Sequence, residues 1–303
     1  MGDSVANSLM TPEEWCAAAP SGAHWRLWGK AMPQTGDAVP GHPLLYHMVD
    51  VAVTAKTLVE TCLPLSLRGR LLEPLGMVSS DGLQFLAWII ALHDFGKATP
   101  AFQSKSELGR LAKAQGLGFD VRANDLDHGR IGLDILSESI LARLGTLAVP
   151  MARAVVAHHG VFPSDADLQP GSRQRGDPLW SEVRARVLSE VSGLFPWSVV
   201  PPSDLALDRT WFVLLAGVTC IADWVGSMVE FYANNAAETP DYLIGERLLK
   251  DGSGSPLRSM VQPSWDGASA DCWYDGVGKL DVHYSSGVGN HAYYLIAEGS
   301  HPA

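Results

Sequence analysis

The sequence predicts an all-α fold: a helical bundle followed by a short irregular C-terminal appendage. Three observations carry this. Apolar residues recur at helical spacing in six stretches before residue 250, no alternating pattern of comparable strength appears before residue 270, and 47% hydrophobic content over 303 residues supplies a sizeable core. HPLLYHMVDVAVTAKTLVETCL (42 to 63) has Leu45, Val49, Ala52, Val53 and Leu58 near helical spacing and a proline at its start. LQFLAWIIALHD (83 to 94) is almost wholly apolar, which predicts a central helix buried on most sides. IGLDILSESILARLG (131 to 145) is amphipathic and closes at Gly145, and VPMARAVVAHHG (149 to 160) runs from Pro150 to Gly160. DPLWSEVRARVLSEVSG (177 to 193) is amphipathic again, and RTWFVLLAGVTCIADWVGSMVEFY (209 to 232) is the longest apolar helix. Trp25, Trp28, Trp88, Trp211 and Trp224 are expected in the core.

Composition excludes several classes of protein. Cys16, Cys62, Cys220 and Cys272 are scattered singly, which fits reduced thiols and excludes a zinc knuckle. The first residues lack a secretory or myristoylation pattern, and the apolar run 211 to 222 is too short for a bilayer. A cytoplasmic protein without a membrane partner is therefore expected. A net charge of −11 means that any contact with a polyanion must be local or shared.

Composition shifts at DGSGSP (251 to 256), a Gly/Ser-rich joint of the kind that separates folding units. Two domains are expected, 1 to 250 and 251 to 303.

Five of the ten histidines, His47, His93, His128, His158 and His159, lie on or beside the predicted helices, with Asp94 and Asp223 in equally apolar settings. A carboxylate at the end of GVTCIAD is costly in a core unless a cation compensates it. Imidazole nitrogens with carboxylate oxygens suit Fe, Mn, Co, Ni or Zn better than Ca or Mg. An aspartate can bridge two ions, so one ion is expected on His47, His93, Asp94 and Asp223, and a second on Asp94, His128, His158 and His159. Asp125 and Asp127 read as capping residues, and His24 and His42 as surface or loop residues.

The ordered set His47, His93-Asp94, His128, His158-His159 and Asp223 resembles the HD superfamily of metal-dependent phosphohydrolases. The flanks LWGKA (27 to 31), HPLLYHMVDVA (42 to 52), LHDFGKATPAFQ (92 to 103), AHHG (157 to 160) and ADWVGS (222 to 227) narrow it to the HD nuclease domain of the type I CRISPR-associated helicase-nuclease. The resemblance covers about 230 residues. It implies a helical HD fold, a centre of two divalent transition-metal ions (Fe, Mn, Co or Ni) and two-metal cleavage of single-stranded DNA in CRISPR interference. Asp94 and Lys97 are the expected catalytic residues, with Lys97 also reaching a substrate phosphate and Ser227 offering a polar contact. No G-x-x-x-x-G-K-[ST] occurs in the sequence, so a separate helicase and a CRISPR target-binding complex are the expected partners. A phosphohydrolase of nucleotides or cyclic nucleotides, and an inactive adaptor, are the alternative functions.

The tail resembles a different family. RSM (258 to 260) and VHYSSGVGNHAYYL (282 to 295) are similar to thermolysin-like neutral metalloproteases, in which Arg258 and His283 would support the tetrahedral intermediate. The H-E-x-x-H zinc motif does not occur in the sequence, so proteolysis is not expected, and partial disorder is.

Overall fold

The computed structural model describes residues 11–31, 41–119, 127–164, 172–198, 207–227, 243–244, 258–272, 274–280, 282–288, 290–291 and 294. The chain divides into two compact units, 1–234 and 235–303. The joint at 251 to 256 and Asp125 lie outside the described residues.

In the first unit α1 (Pro12–Ala18) opens on a capping box between Thr11 and Glu14. A 3-10 turn (Ala23–Arg26) leads into β1 (Trp28–Ala31), which pairs antiparallel with β2 (Gly41–Pro43). Helices follow: α2 (Leu44–Thr57), α3 (Leu65–Leu72), α4 (Ser79–Ala91), α5 (Pro100–Gln103), α6 (Gly109–Lys113), α7 (His128–Leu144) and α8 (Ala148–Val156). The short α9 (Ser172–Arg175), α10 (Pro178–Leu194) and α11 (Arg209–Gly226) complete the unit. The all-α prediction holds, with the β1–β2 pair as an addition. Strands of four and three residues are too short to show a two-residue period.

α4 is the central helix that its apolar sequence predicts, with Phe85, Ala87, Trp88, Ile89 and Ile90 wholly buried. It packs on α2, α7 packs on α8, and α11 lies across α2 and α8. Asp127, Asp177 and Asp208 cap α7, α10 and α11 by accepting backbone N–H bonds. Gly160 ends the α8 region in the left-handed conformation at φ 84°.

Several boundaries differ from the sequence reading. The helix expected from residue 42 starts at Leu44, because His42 pairs in β2, and it loosens into a π-turn over Leu58–Cys62 before Pro64. α4 begins earlier, at Ser79, and passes into a 3-10 turn (Leu92–Lys97). His24 is buried beside Glu190 at 3.4 Å rather than at the surface. Trp224 is 64% exposed, because its position on α11 faces away from α2 and α8, whereas Trp28, Trp88 and Trp211 are in the core. Residues 128–159 and α11 are both long and apolar enough to cross a bilayer by length and composition, contrary to the expectation from the run 211 to 222. In this fold α11 turns Leu215, Ala222 and Asp223 inward.

In the second unit β3 (Leu243–Ile244) pairs antiparallel with β4 (Arg258–Ser259), and 3-10 turns at Pro263–Asp266 and Val277–Lys279 precede α12 (Val282–Ser285). Its described residues are held by local bonds, such as Ser264 N–H donating to Asp271 Oδ1 at 2.6 Å. The side chains of Arg258 and His283 lie outside the described residues.

Candidate metal centre

The seven predicted ligands converge from five places in the first unit. His47 comes from α2, His93 and Asp94 from the 3-10 turn after α4, and His128 from the first position of α7. His158 and His159 come from the 3-10 turn Ala157–His159 after α8, and Asp223 from the last turn of α11. Helix ends dominate this set for a physical reason. The last carbonyls of a helix lack intrahelical donors, and here side chains supply them. His93 Nδ1–H donates to the Ile90 carbonyl and His158 Nδ1–H to the Val155 carbonyl, each at 3.0 Å. Both bonds keep a proton on Nδ1 and turn Nε2 inward, the support a metal-ligating imidazole uses.

Asp94 lies in the middle. Its Oδ2 is 3.0 Å from His47 Nε2 and 3.3 Å from His93 Nε2, while its Oδ1 is 3.2 Å from His128 Nε2 and 3.6 Å from His158 Nε2. Asp223 Oδ1 lies 3.2 Å from His47 Nε2 and 3.7 Å from His93 Nε2. His159 Nε2 faces His128 Nε2 at 3.1 Å. His47, His93 and Asp223 thus form one cluster with ligand atoms within 4.8 Å of one another, and His128, His158 and His159 form a second.

The chemistry of these atoms fits a cation. The Nε2 atoms of His47, His93 and His158 and both oxygens of Asp94 are buried without a hydrogen bond of proper geometry, although they crowd one another. Buried polar atoms left unsatisfied are costly, and a divalent ion satisfies several acceptors at once. The first cluster is closed to solvent, whereas His128 is half-buried and His159 exposed, so the centre opens on its second cluster.

Charges inside the centre follow from burial against proximity. Burial pushes the Asp94 carboxyl up, but Lys97, His93, His128 and His47 outweigh it and hold it well below the usual carboxylate range. Asp223 is likewise pulled down, against burial, by His47 and His93. Burial disfavours charge on His93, yet Asp94 and Asp223 raise it to about 9. For His158 burial, and then the charge of His93, outweigh the pull of Asp94 and Asp223 and lower it to about 3. Burial also lowers His47 and His159.

Lys97 and Ser227, the predicted substrate contacts, each meet a carboxylate of the centre. Lys97 is 5% exposed, with Nζ 2.6 Å from Asp94 Oδ2 and donating to the Gly29 carbonyl at 3.0 Å, so its charge is directed at Asp94. The Ser227 hydroxyl donates to Asp223 Oδ1 at 2.9 Å. The sequence reading missed Lys30, whose Nζ lies 3.4 Å from Asp223 Oδ1; its place in LWGKA, after Trp28 and Gly29, was the available signal. It also missed Gln103, which accepts from Trp28 N–H and donates to the carbonyls of Trp28 and Lys97, tying β1 to the His-Asp turn. Gly96 lets that turn lie against α7, because a Cβ there would collide with the His128 carbonyl oxygen.

Comparison with known proteins agrees with this geometry. The family model "Cas3, HD domain" matches residues 28–232, and "Thermolysin metallopeptidase, alpha-helical domain" matches 219–302. The chain is 32% identical over 209 residues to the CRISPR-associated endonuclease/helicase Cas3 of Thermus thermophilus, covering 66% of this chain and 22% of that protein. Over 81 residues it is 57% identical to the transglutaminase-activating metalloprotease of Streptomyces mobaraensis, covering 27% of this chain and 11% of that one. Among solved structures, a CRISPR-associated protein superimposes with a TM-score of 0.61 at 28% identity, covering 74% of this chain and 26% of its own. Cas3 of T. fusca shares the fold, with a TM-score of 0.58 at 22% identity over 71% of this chain and 24% of that one. The chain thus spans about a quarter or less of the length of these four proteins. With a family match across the unit that holds the whole His-Asp centre, the chain belongs to the Cas3 HD domain family.

Proposed function

We propose that the first unit is a metal-dependent nuclease that cleaves single-stranded DNA in CRISPR interference, in the cytoplasm, alongside a separate helicase and a target-binding complex. The observation that carries this reading is Asp94, which turns one oxygen to each histidine cluster. His47, His93, Asp94 and Asp223 would hold one divalent transition-metal ion, and Asp94, His128, His158 and His159 a second. Such ions supply Lewis acidity that activates water and offsets the charge gathering on the phosphate.

The protein's own residues prepare that chemistry. The inward Nε2 atoms are preset by the bonds from His93 and His158 to helix-end carbonyls. Lys97 keeps Asp94 ionised, and Ser227 orients Asp223 by donating to Oδ1. The scissile phosphate approaches from the side of His128 and His159, where the centre meets solvent. Burial of the first cluster keeps bulk water from its ligands.

The test is an assay of the full chain on single-stranded and double-stranded DNA with Mn, Co, Ni or Fe, before and after chelation. Metal-dependent cutting of single strands supports the reading. Phosphate release from small nucleotides with DNA left intact would replace it with a nucleotide phosphohydrolase. Silence under every metal, with the ions bound, would leave an adaptor.

A further inference from the structure

Two ammonium groups reach the carboxylates of the centre among the described residues, Lys97 and Lys30. They are not equivalent. Lys97 is enclosed and divided between Asp94 and the Gly29 carbonyl. The Lys30 side chain keeps 34% of its surface in solvent and, among the described residues, pairs with Asp223 Oδ1 at a long 3.4 Å. We propose that Lys30 is a substrate-binding residue, whose ammonium grips a phosphate of the DNA strand on the Asp223 side of the centre; this rests on the nuclease reading above.

The backbone around Lys30 is built to hold a charge in place. Trp28 is buried, and its N–H donates to Gln103 Oε1 while Gln103 Nε2 donates back to the Trp28 carbonyl, at 3.0 and 2.9 Å. The Trp28 indole donates to the Gln103 carbonyl at 3.1 Å. Gly29 lies so close to α2 that an added Cβ would stand 3.0 Å from Leu44 Cα and 3.3 Å from His47 Cβ. The register of β1 against β2 shifts between Trp28 and Lys30. The strand is thus fastened beside a predicted ligand, and a flexible four-carbon stem extends from it.

Charge balance supplies the occasion. With no divalent ion bound, Asp223 offers Lys30 a full negative charge. A cation on Asp223 would offset that charge and leave the partly exposed Lys30 side chain beside the centre with a weaker claim on its partner. A phosphodiester supplies the replacement anion, and an ammonium binds phosphate as a point charge without demanding bidentate geometry. In a chain of net charge −11, a cation placed at the reaction site is what a polyanionic substrate needs.

The experiment compares wild type, K30A, K30Q and K30R as full chains loaded with Mn. Metal content is measured by elemental analysis, and binding of a phosphorothioate single-stranded oligonucleotide is followed by anisotropy across salt. K30A and K30Q are expected to keep wild-type metal content and to bind about tenfold more weakly, with a salt slope reduced by about 0.7, the signature of one lost phosphate contact. KM should rise while kcat stays within about threefold, and K30R should restore most of the binding. Wild-type affinity and salt slope in K30A and K30Q would overturn the inference, as would weaker binding fully explained by lost metal. Wild type that binds the oligonucleotide but cuts nothing would sink the nuclease reading while the binding comparison still judges Lys30. If wild type binds no oligonucleotide, both fall.

Discussion

Lys97 Nζ lies 2.6 Å from Asp94 Oδ2, and both side chains are enclosed, at 6% and 1% exposure. A buried ion pair is a poor source of net stability, but removing one partner leaves the other charge uncompensated. Here the abandoned partner would be the carboxylate that both histidine clusters share. The enclosed lysine therefore matters first for keeping Asp94 ionised and in place.

Lys97→Met is expected to destabilise the chelated protein by about 3 kcal/mol or more, the usual cost of breaking such a pair. Excess Mn should recover part of that loss, because bound cations offset Asp94 directly. Urea unfolding with chelator and with Mn reads both effects. Equal stability of variant and wild type under chelation would contradict the pairing.

Asp94→Asn and His159→Ala separate the two clusters. Asp94 touches both, so its variant should fall below one ion per chain and lose at least about 100-fold in metal-dependent cutting. His159 belongs to the open cluster alone, and its variant should retain one ion. Elemental analysis of the two variants decides. Retention of two ions in Asp94→Asn would remove the shared carboxylate from the account.

Metal-free stability should peak near pH 6.5. The sign differs between histidines. His93, raised to about 9, contributes stability fully present below its unfolded value of 6.5 and lost as pH climbs toward 9. His47, His158 and His159 are lowered, so the unfolded chain takes up their protons more readily and stability falls as pH drops below 6.5. Urea midpoints of chelated protein at pH 5, 6.5 and 9 test this, and a midpoint that keeps rising to pH 9 would refute it. Because a ligand must shed its proton to bind, metal affinity should instead increase between pH 6.5 and 9.

Gly96→Ala should damage the centre without removing any predicted ligand side chain. The added Cβ meets the His128 carbonyl oxygen and the backbone of Gly132, so the His-Asp turn and α7 must separate. A loss of about 3 kcal/mol is expected, together with reduced metal content. Near-wild-type values for both would show that the contact relaxes cheaply.

Much of the molecule was legible in the order of its residues. α4 was plain because nearly every position is apolar, and the Asp127 cap of α7 sits where its chemistry requires. The seven predicted ligands, which the fold brings together, were legible because histidine and carboxylate are costly in apolar helices unless something compensates them. β1 and β2 escaped notice because they are short and their register includes a shift.

Helical periodicity and ligand chemistry are local properties, and the chain alone sufficed to mark the six long helical stretches and to nominate the donor set, but not the short helices α1, α3, α5, α6 and α9. Packing chose the rest: which oxygen of Asp94 faces which cluster, that Lys97 is enclosed, and that Lys30 meets Asp223 across 193 residues of separation. Those relations depend on how α2, α4, α7, α8 and α11 cross, and a crossing is set by side chains from several helices at once.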